Sequence, residues 1–214
     1  MIYLTFQYKN HYKMFGDLNP SIAVLILAAG GSTRMGKPKL AQKIGNESLF
    51  ERALSQVEGV EALSKLVILG ADRDLYQSSV PDNFELIVND HWEDGLSSSI
   101  KAGITYINKF GSGIEYVLIV LADMPLVTET YLNALINAFS VSKKGIVVSN
   151  YGQSFGPPAI FSRKYFPELL KMKGDRGARG IFSKFKHDLY AVDFPDGLVD
   201  IDTPEDLLRF KKID

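Results

Sequence analysis

The chain has 214 residues, 46% of them hydrophobic, and a formal net charge of −1. That length and apolar content suffice for one α/β domain with a full core, and the near-neutral charge gives no field to attract nucleic acid or an anionic membrane. Cysteine is absent, which excludes disulfides, thiolate metal sites and cysteine nucleophiles and suits an expected cytoplasmic location. No apolar run approaches a membrane span, and no signal-peptide pattern is seen.

Residues 1–20 read as an extension to a single domain over 21–214. Ile2, Leu4, Phe6 and Tyr8 alternate as in a short edge strand, whereas Lys9, His11 and Lys13 break the pattern. Met14 offers a second candidate start, so an edge strand and a misplaced start stand side by side.

Val24 to Leu27 is a run of branched apolar residues and predicts a strand buried on both faces. It runs into Ala28-Ala29-Gly30-Gly31, where small residues let the backbone approach a ligand. Ser32, Thr33, Arg34, Lys37 and Lys39 follow with no carboxylate among them. A buried strand feeding a glycine-rich cationic loop predicts a polyphosphate seat. It is not the ATPase-type loop: after Gly36-Lys37 comes Pro38, which has neither the hydroxyl nor the N–H that such a loop needs. Nor is it a dinucleotide fingerprint, because the glycines fall at 30, 31 and 36.

Asn46 to Val57 has a helical period, with Leu49, Phe50, Ala53, Leu54 and Val57 on one face. Lys65 to Leu69 predicts a second buried strand ending at Gly70-Ala71-Asp72, and Leu86 to Val88 a third, ending at Asn89-Asp90-His91-Trp92. Gly95 to Ser99 opens a helix carrying Ile100, Ile104 and Ile107 on its apolar face. Tyr116 to Leu121 is a strongly apolar strand that ends at Ala122-Asp123. Thr128 caps a helix through Phe139, Ile146 to Ser149 forms another strand, and rigid Gly156-Pro157-Pro158 leads into one at Ala159 to Phe161. The alternation predicts an α/β fold, a mostly parallel sheet with helices on both faces. Ligands of such sheets sit beyond the carboxyl ends of the strands, and there the polar residues gather.

Asp123 follows a buried strand, where a carboxylate is costly to desolvate unless paired or bound to metal. In Asp200-Ile201-Asp202-Thr203-Pro204-Glu205-Asp206, Thr203 and Pro204 read as a helix start that accounts for Glu205 and Asp206. Asp200 and Asp202 precede it, and either could join Asp123 on one magnesium ion. Gly95 to Ser99 offers hydroxyls and free N–H groups at a helix start. In Gly174 to Arg179, with a helix expected to follow, Arg176 and Arg179 suit a second phosphate. His11, His91 and His187 have no ligand spacing and read as surface or packing residues.

Taken together, LAAGGSTRMGKPKL (27–40), NDHWEDGLSSSIKAG (89–103), LADMPLVT (121–128), GDRGAR (174–179) and DIDTPEDL (200–207) resemble the molybdenum cofactor cytidylyltransferase family. The resemblance implies a three-layer Rossmann-like, glycosyltransferase-A-like fold. It also implies transfer of CMP from CTP to the phosphate of molybdopterin with release of pyrophosphate, aided by magnesium or manganese. On that resemblance the nucleotide meets Ala28, Ala29, Gly30, Gly31, Ser32, Arg34, Lys39, Gly70, Asn89, Gly95, Ser97 and Ser98. Catalysis falls to Arg34, Lys39 and Asp123, metal binding to Asp123 and Asp202, and acceptor binding to Pro157, Asp175, Arg176 and Arg179. A recipient molybdoenzyme or its chaperone would be a further partner. Leu-Ala-Ala-Gly resembles the cytidine-using branch rather than the guanosine-using one, and the methyl of Ala29 would narrow a base pocket. Gly156-Pro157-Pro158 departs from the family's Gly-His-Pro, which bears on the acceptor. Rival readings are a GTP-using guanylyltransferase of the same cofactor, a transferase acting on a sugar or polyol phosphate, and a nucleotide-binding regulator without catalysis.

Overall fold

The computed structural model describes residues 21–32, 35–176, 178–198 and 206. The edge strand expected within 1–20, Arg34, Asp200, Asp202 and the helix start at Thr203 lie outside these residues.

In chain order the described elements are β1 (Ile22–Ala28), β2 (Lys43–Ile44), β3 (Glu47–Ser48), α1 (Leu49–Glu58), β4 (Ser64–Leu69), α2 (Arg73–Tyr76) and β5 (Glu85–Val88). They continue with α3 (Leu96–Phe110), β6 (Tyr116–Leu121), α4 (Glu129–Ser142), β7 (Ile146–Asn150), β8 (Phe155–Ser162), α5 (Phe166–Leu170), α6 (Arg179–Lys184) and β9 (Leu189–Asp193). Seven strands form one sheet in the order β5-β4-β1-β6-β8-β7-β9, and β2 pairs with β3 in a separate small hairpin. The pairs β5–β4, β4–β1, β1–β6 and β7–β9 are parallel, whereas β8 runs antiparallel to both β6 and β7.

The central position of β1 follows from its composition. All seven of its residues are buried, and successive side chains alternate between two cores. Val24, Ile26 and Ala28 pack with Leu49, Phe50, Ala53 and Leu54 of α1 and with Leu132 and Leu135 of α4. Ala23, Leu25, Leu27 and Ala29 face Ile100, Ile104 and Ile107 of α3, together with α5 and α6 residues. Helix α3 lies so close to β1 that a Cβ on Gly103 would meet the Leu25 side chain at 2.4 Å.

Four expectations are corrected. The strand at 86–88 is not buried: β5 is the sheet edge, with Leu86 and Val88 exposed. The helix expected from Asn46 starts at Leu49, because Ser48 and Glu51 form a capping box and residues before it turn through the β2–β3 hairpin. Gly156-Pro157-Pro158 lies inside β8 rather than ahead of it. Helix α4 runs to Ser142, past Phe139. Helix α6 is the helix expected after the Gly174 to Arg179 segment, and it starts at Arg179 itself. Strand β9 and helices α2 and α5 are additional to the elements that the pattern defined.

Candidate functional site

Register brings the polar loops together. Ala28 pairs with Leu69, Leu27 with Leu121, and Leu69 with Val88, so β1, β4, β5 and β6 end at a common edge. Because β8 is antiparallel, with Ile119 opposite Ala159, it begins at this same edge beside the end of β6. Gly156 and Pro157 therefore stand next to the strand end that carries Asp123. A surface groove lined by Leu63, Ser64, Glu85, Tyr106 and Phe110 lies at the opposite ends of the strands and contains none of the expected site residues.

The loop after β1 is closed on itself. The Met35 N–H donates to the Ser32 carbonyl at 3.0 Å, and the Lys39 backbone N–H donates to Ser32 Oγ at 2.8 Å. Met35 and Leu40 sink into the core on either side of exposed Gly36 and Lys37. Ser32 has φ +50°, a left-handed pose unusual for a side chain with a Cβ, and these contacts hold it there.

Lys39 is 8% exposed, and its Nζ lies 2.7 Å from Asp123 Oδ2. Asp123 is fixed through its chain neighbours. The Ala122 N–H donates to the Leu27 carbonyl, Met124 is buried, and the Pro125 carbonyl accepts from Arg52 Nε and Gln56 Nε2 of α1. The Asp123 carboxylate is 29% exposed, and its Oδ1 is buried with no hydrogen-bond partner among the described residues. An orphaned carboxylate oxygen is the donor type that magnesium or manganese takes. Among the described residues no group of three or more His, Cys, Asp or Glu could hold a metal by itself. Asp123 thus fits as one ligand, and the second expected ligand, Asp202, lies outside the described residues.

Gly31 and Gly70 are shaped by Trp92, the single tryptophan of the chain. A Cβ on Gly31 would meet the Trp92 ring at 2.6 Å, and one on Gly70 would meet Trp92 Cβ at 2.7 Å. The indole therefore spans from the end of β4 to the loop after β1. The resemblance sets Trp92 within the segment from Asn89 to Ser98 expected to contact the base, without singling it out; a lone tryptophan shortly before a glycine-opened helix was the available signal.

Asn89 is 4% exposed and spends its side chain on the protein. Its amide donates to Ser98 Oγ at 2.8 Å and Ser99 Oγ at 3.1 Å, and its Oδ1 accepts from the His91 N–H. Ser98 Oγ in turn donates to the Gly95 carbonyl, and Ser97 is buried. The Leu96 N–H donates to Asp175 Oδ1 at 3.0 Å. The expectation of free donors at this helix start is therefore corrected at two places: the Ser98 hydroxyl and the Leu96 N–H are already engaged. Gly95 needs its φ of +88°, and a Cβ there would meet Asp175 Oδ1 at 2.3 Å. Asp175, assigned to the acceptor by resemblance, here ties the turn at Gly174–Arg176 to α3, while Arg179 is exposed at the first turn of α6. Asn89→Ala removes the donor to two hydroxyls and the acceptor of one backbone N–H. It is expected to cost about 2–3 kcal/mol of stability, measured by denaturant unfolding.

The Gly156-Pro157-Pro158 segment is held from behind. Tyr151 OH donates to the Pro157 carbonyl, Ser149 Oγ to the Pro158 carbonyl at 2.7 Å, and Tyr131 OH to Ser149 Oγ at 2.9 Å. Burial pushes the Tyr131 phenol up to about 12, which keeps it a donor at neutral pH. His91 and His187 are exposed, in keeping with the reading of them as surface residues.

The seven-strand, mostly parallel sheet with helices on both faces has the glycosyltransferase-A-like architecture, with the loop after β1 and the paired Asp123 at its strand ends. The chain belongs to the MobA-like NTP transferase domain family, whose model matches residues 24–189. It is 31% identical over 201 residues to the purine catabolism protein PucB of Bacillus subtilis, spanning 88% of this chain and 95% of that one. Identity to the molybdenum cofactor guanylyltransferase of Vibrio vulnificus is 26% over 207 residues, spanning 92% and 99%. A solved Rv0371c homologue from Mycobacterium sp. strain JC1 has a TM-score of 0.78 at 25% identity, covering 90% of this chain and 96% of that one. Rv0371c of Mycobacterium tuberculosis, solved as a complex with manganese, shares the fold with a TM-score of 0.72 at 23% identity, over 89% and 98% of the chains. No helix of the described residues is long and apolar enough to cross a membrane.

Proposed function

We propose that this protein transfers CMP from CTP to the phosphate of molybdopterin, releasing pyrophosphate with the help of magnesium or manganese. The observation that carries the reading is the Lys39–Asp123 pair, which joins the phosphate loop to the carboxylate at the end of β6. Family membership supports NTP chemistry, and the relation to a molybdenum cofactor guanylyltransferase supports a pterin phosphate as acceptor. For the base, the support is Ala29, buried beside Gly70 at the ends of β1 and β4: a methyl at this position would narrow a base pocket and favour a pyrimidine.

The acceptor phosphate oxygen attacks the α-phosphorus in line. One P–O bond forms as the bond to the β-phosphate oxygen breaks, and pyrophosphate leaves with the electron pair. The attacking oxygen is already anionic, so positioning and charge neutralisation matter more than a general base. Lys39 and the backbone N–H groups of residues 29–32 hold the β- and γ-phosphates, with Arg34 as a further cation. A divalent ion held by Asp123 and Asp202 would offset charge on the reacting phosphates. Pro157, held by Tyr151 beside the end of β6, would wall the acceptor.

Pyrophosphate release, measured with each of the four NTPs and with or without reduced molybdopterin, tests this reading. Release with CTP and the pterin only is expected. Preference for GTP would move the protein to the guanylyltransferase reading, and activity on sugar or polyol phosphates would replace the acceptor. Nucleotide binding without turnover would leave a regulator.

A further inference from the structure

The two carboxylate oxygens of Asp123 stand in opposite situations. Oδ2 accepts from Lys39 Nζ at 2.7 Å, whereas Oδ1 is buried without a hydrogen-bond partner among the described residues. We propose that Lys39 is the resting counter-cation of this carboxylate, keeping divalent metal off the site until the triphosphate draws the ammonium away. Metal and nucleotide then bind as a coupled pair. The proposal rests on the metal role given to Asp123 above.

The charges set the argument. A divalent ion on Oδ1 at about 2–2.5 Å would share one carboxylate with an ammonium already 2.7 Å from the other oxygen. The ammonium and the ion would compete for the charge of the same carboxylate, and at 8% exposure of Lys39 water does little to screen their repulsion. The geometry also supplies the release. The Lys39 backbone is fastened to Ser32 Oγ at 2.8 Å, so the root of the side chain is fixed on the phosphate loop itself. Its four-carbon stem can swing the ammonium from Asp123 to phosphates seated on that loop without moving the backbone. A triphosphate carries several negative charges where Asp123 has one, so the ammonium follows the phosphates. Asp123 then presents both oxygens.

The test is a manganese titration of the full chain without nucleotide, following the loss of the free-ion electron paramagnetic resonance signal. The wild type and Lys39→Arg, which keeps the positive charge, are expected to bind manganese weakly. Lys39→Met and Lys39→Gln are expected to bind it about tenfold more tightly or better. This gain in affinity accompanies a loss of turnover, the opposite of what a purely supporting lysine would give. Lys39→Gln retains a donor for Asp123 and serves if the methionine variant fails to fold. Adding Asp123→Asn to Lys39→Gln should abolish the tightening. Unchanged manganese affinity in a folded Lys39→Gln protein overturns the proposal. Tightening that survives Asp123→Asn overturns the metal assignment instead. Because no acceptor is present, neither outcome depends on the identity of the transferase reaction.

Discussion

Asp123→Asn is expected to reduce nucleotidyl transfer by roughly a thousandfold or more, the scale set by losing a preorganised charge at a phosphoryl centre. Asparagine preserves the shape of the side chain and its place after β6, where Ala122 and Pro125 are fastened by backbone bonds to β1 and α1. It removes the charge that pairs with Lys39 and that would hold a metal. The fold should persist, because the pair lies at the edge of the sheet and outside both apolar cores. Replacing a partly buried ion pair with an amide costs about 1–2 kcal/mol, or a melting shift of about 3–6 °C for a chain of this size. Circular dichroism and thermal melting check the fold, and pyrophosphate release checks the chemistry. Turnover near that of the wild type would remove Asp123 from the reaction.

The expected defect is one of rate rather than of nucleotide recognition. The loop contacts that close around Ser32, and the glycines at 30, 31 and 70, are untouched by the change. Nucleotide affinity measured without metal should therefore fall less than turnover does. An equal loss in both would mean that Asp123 acts mainly by placing Lys39.

Much of this site was legible in the sequence because its signals are local. Four apolar residues before Ala-Ala-Gly-Gly mark β1 and its loop, and an aspartate after Tyr116 to Leu121 marks the end of β6. Period alone placed the buried faces of α1 and α3. What pattern could not supply was long-range. Leu86 to Val88 is as apolar as an inner strand, and its edge position is decided by strand order, which no residue in it encodes. The antiparallel direction of β8 is likewise a property of connectivity, yet it sets Pro157 beside Asp123. Asn89 and Asp175 look like ligand-facing polar residues in the sequence. Their protein partners, Ser98 and Ser99 for one and the Leu96 N–H for the other, are visible only when the loops are brought together.

Gly70→Ala is expected to give the second large effect, through packing rather than charge. Gly70 is a proposed base contact on the resemblance alone, and the structure adds a reason for having no side chain there. A Cβ would lie 2.6 Å from the Ala29 carbonyl oxygen, 2.7 Å from Trp92 Cβ and 2.8 Å from Ala29 Cβ. None of these is the free end of a side chain that can turn away. The Ala29 carbonyl is moreover held by the Ala71 N–H, so the methyl must force apart the ends of β1 and β4. Overpacking of this kind costs about 2–3 kcal/mol. Gly30→Ala is the matched control, since nothing lies within 4 Å of a Cβ there and stability should stay within about 0.5 kcal/mol. The displaced Ala29 and Trp92 border the proposed base site, whereas the proposed acceptor wall hangs from Ser149 and Tyr151. The KM for CTP should therefore rise about tenfold or more while the KM for the acceptor stays near its wild-type value, and the fluorescence of Trp92 should shift as its packing loosens. A Gly70→Ala protein that melts with the wild type and binds CTP normally would show that the ends of β1 and β4 yield to a methyl. The pyrimidine preference assigned to Ala29 would then lose its physical basis.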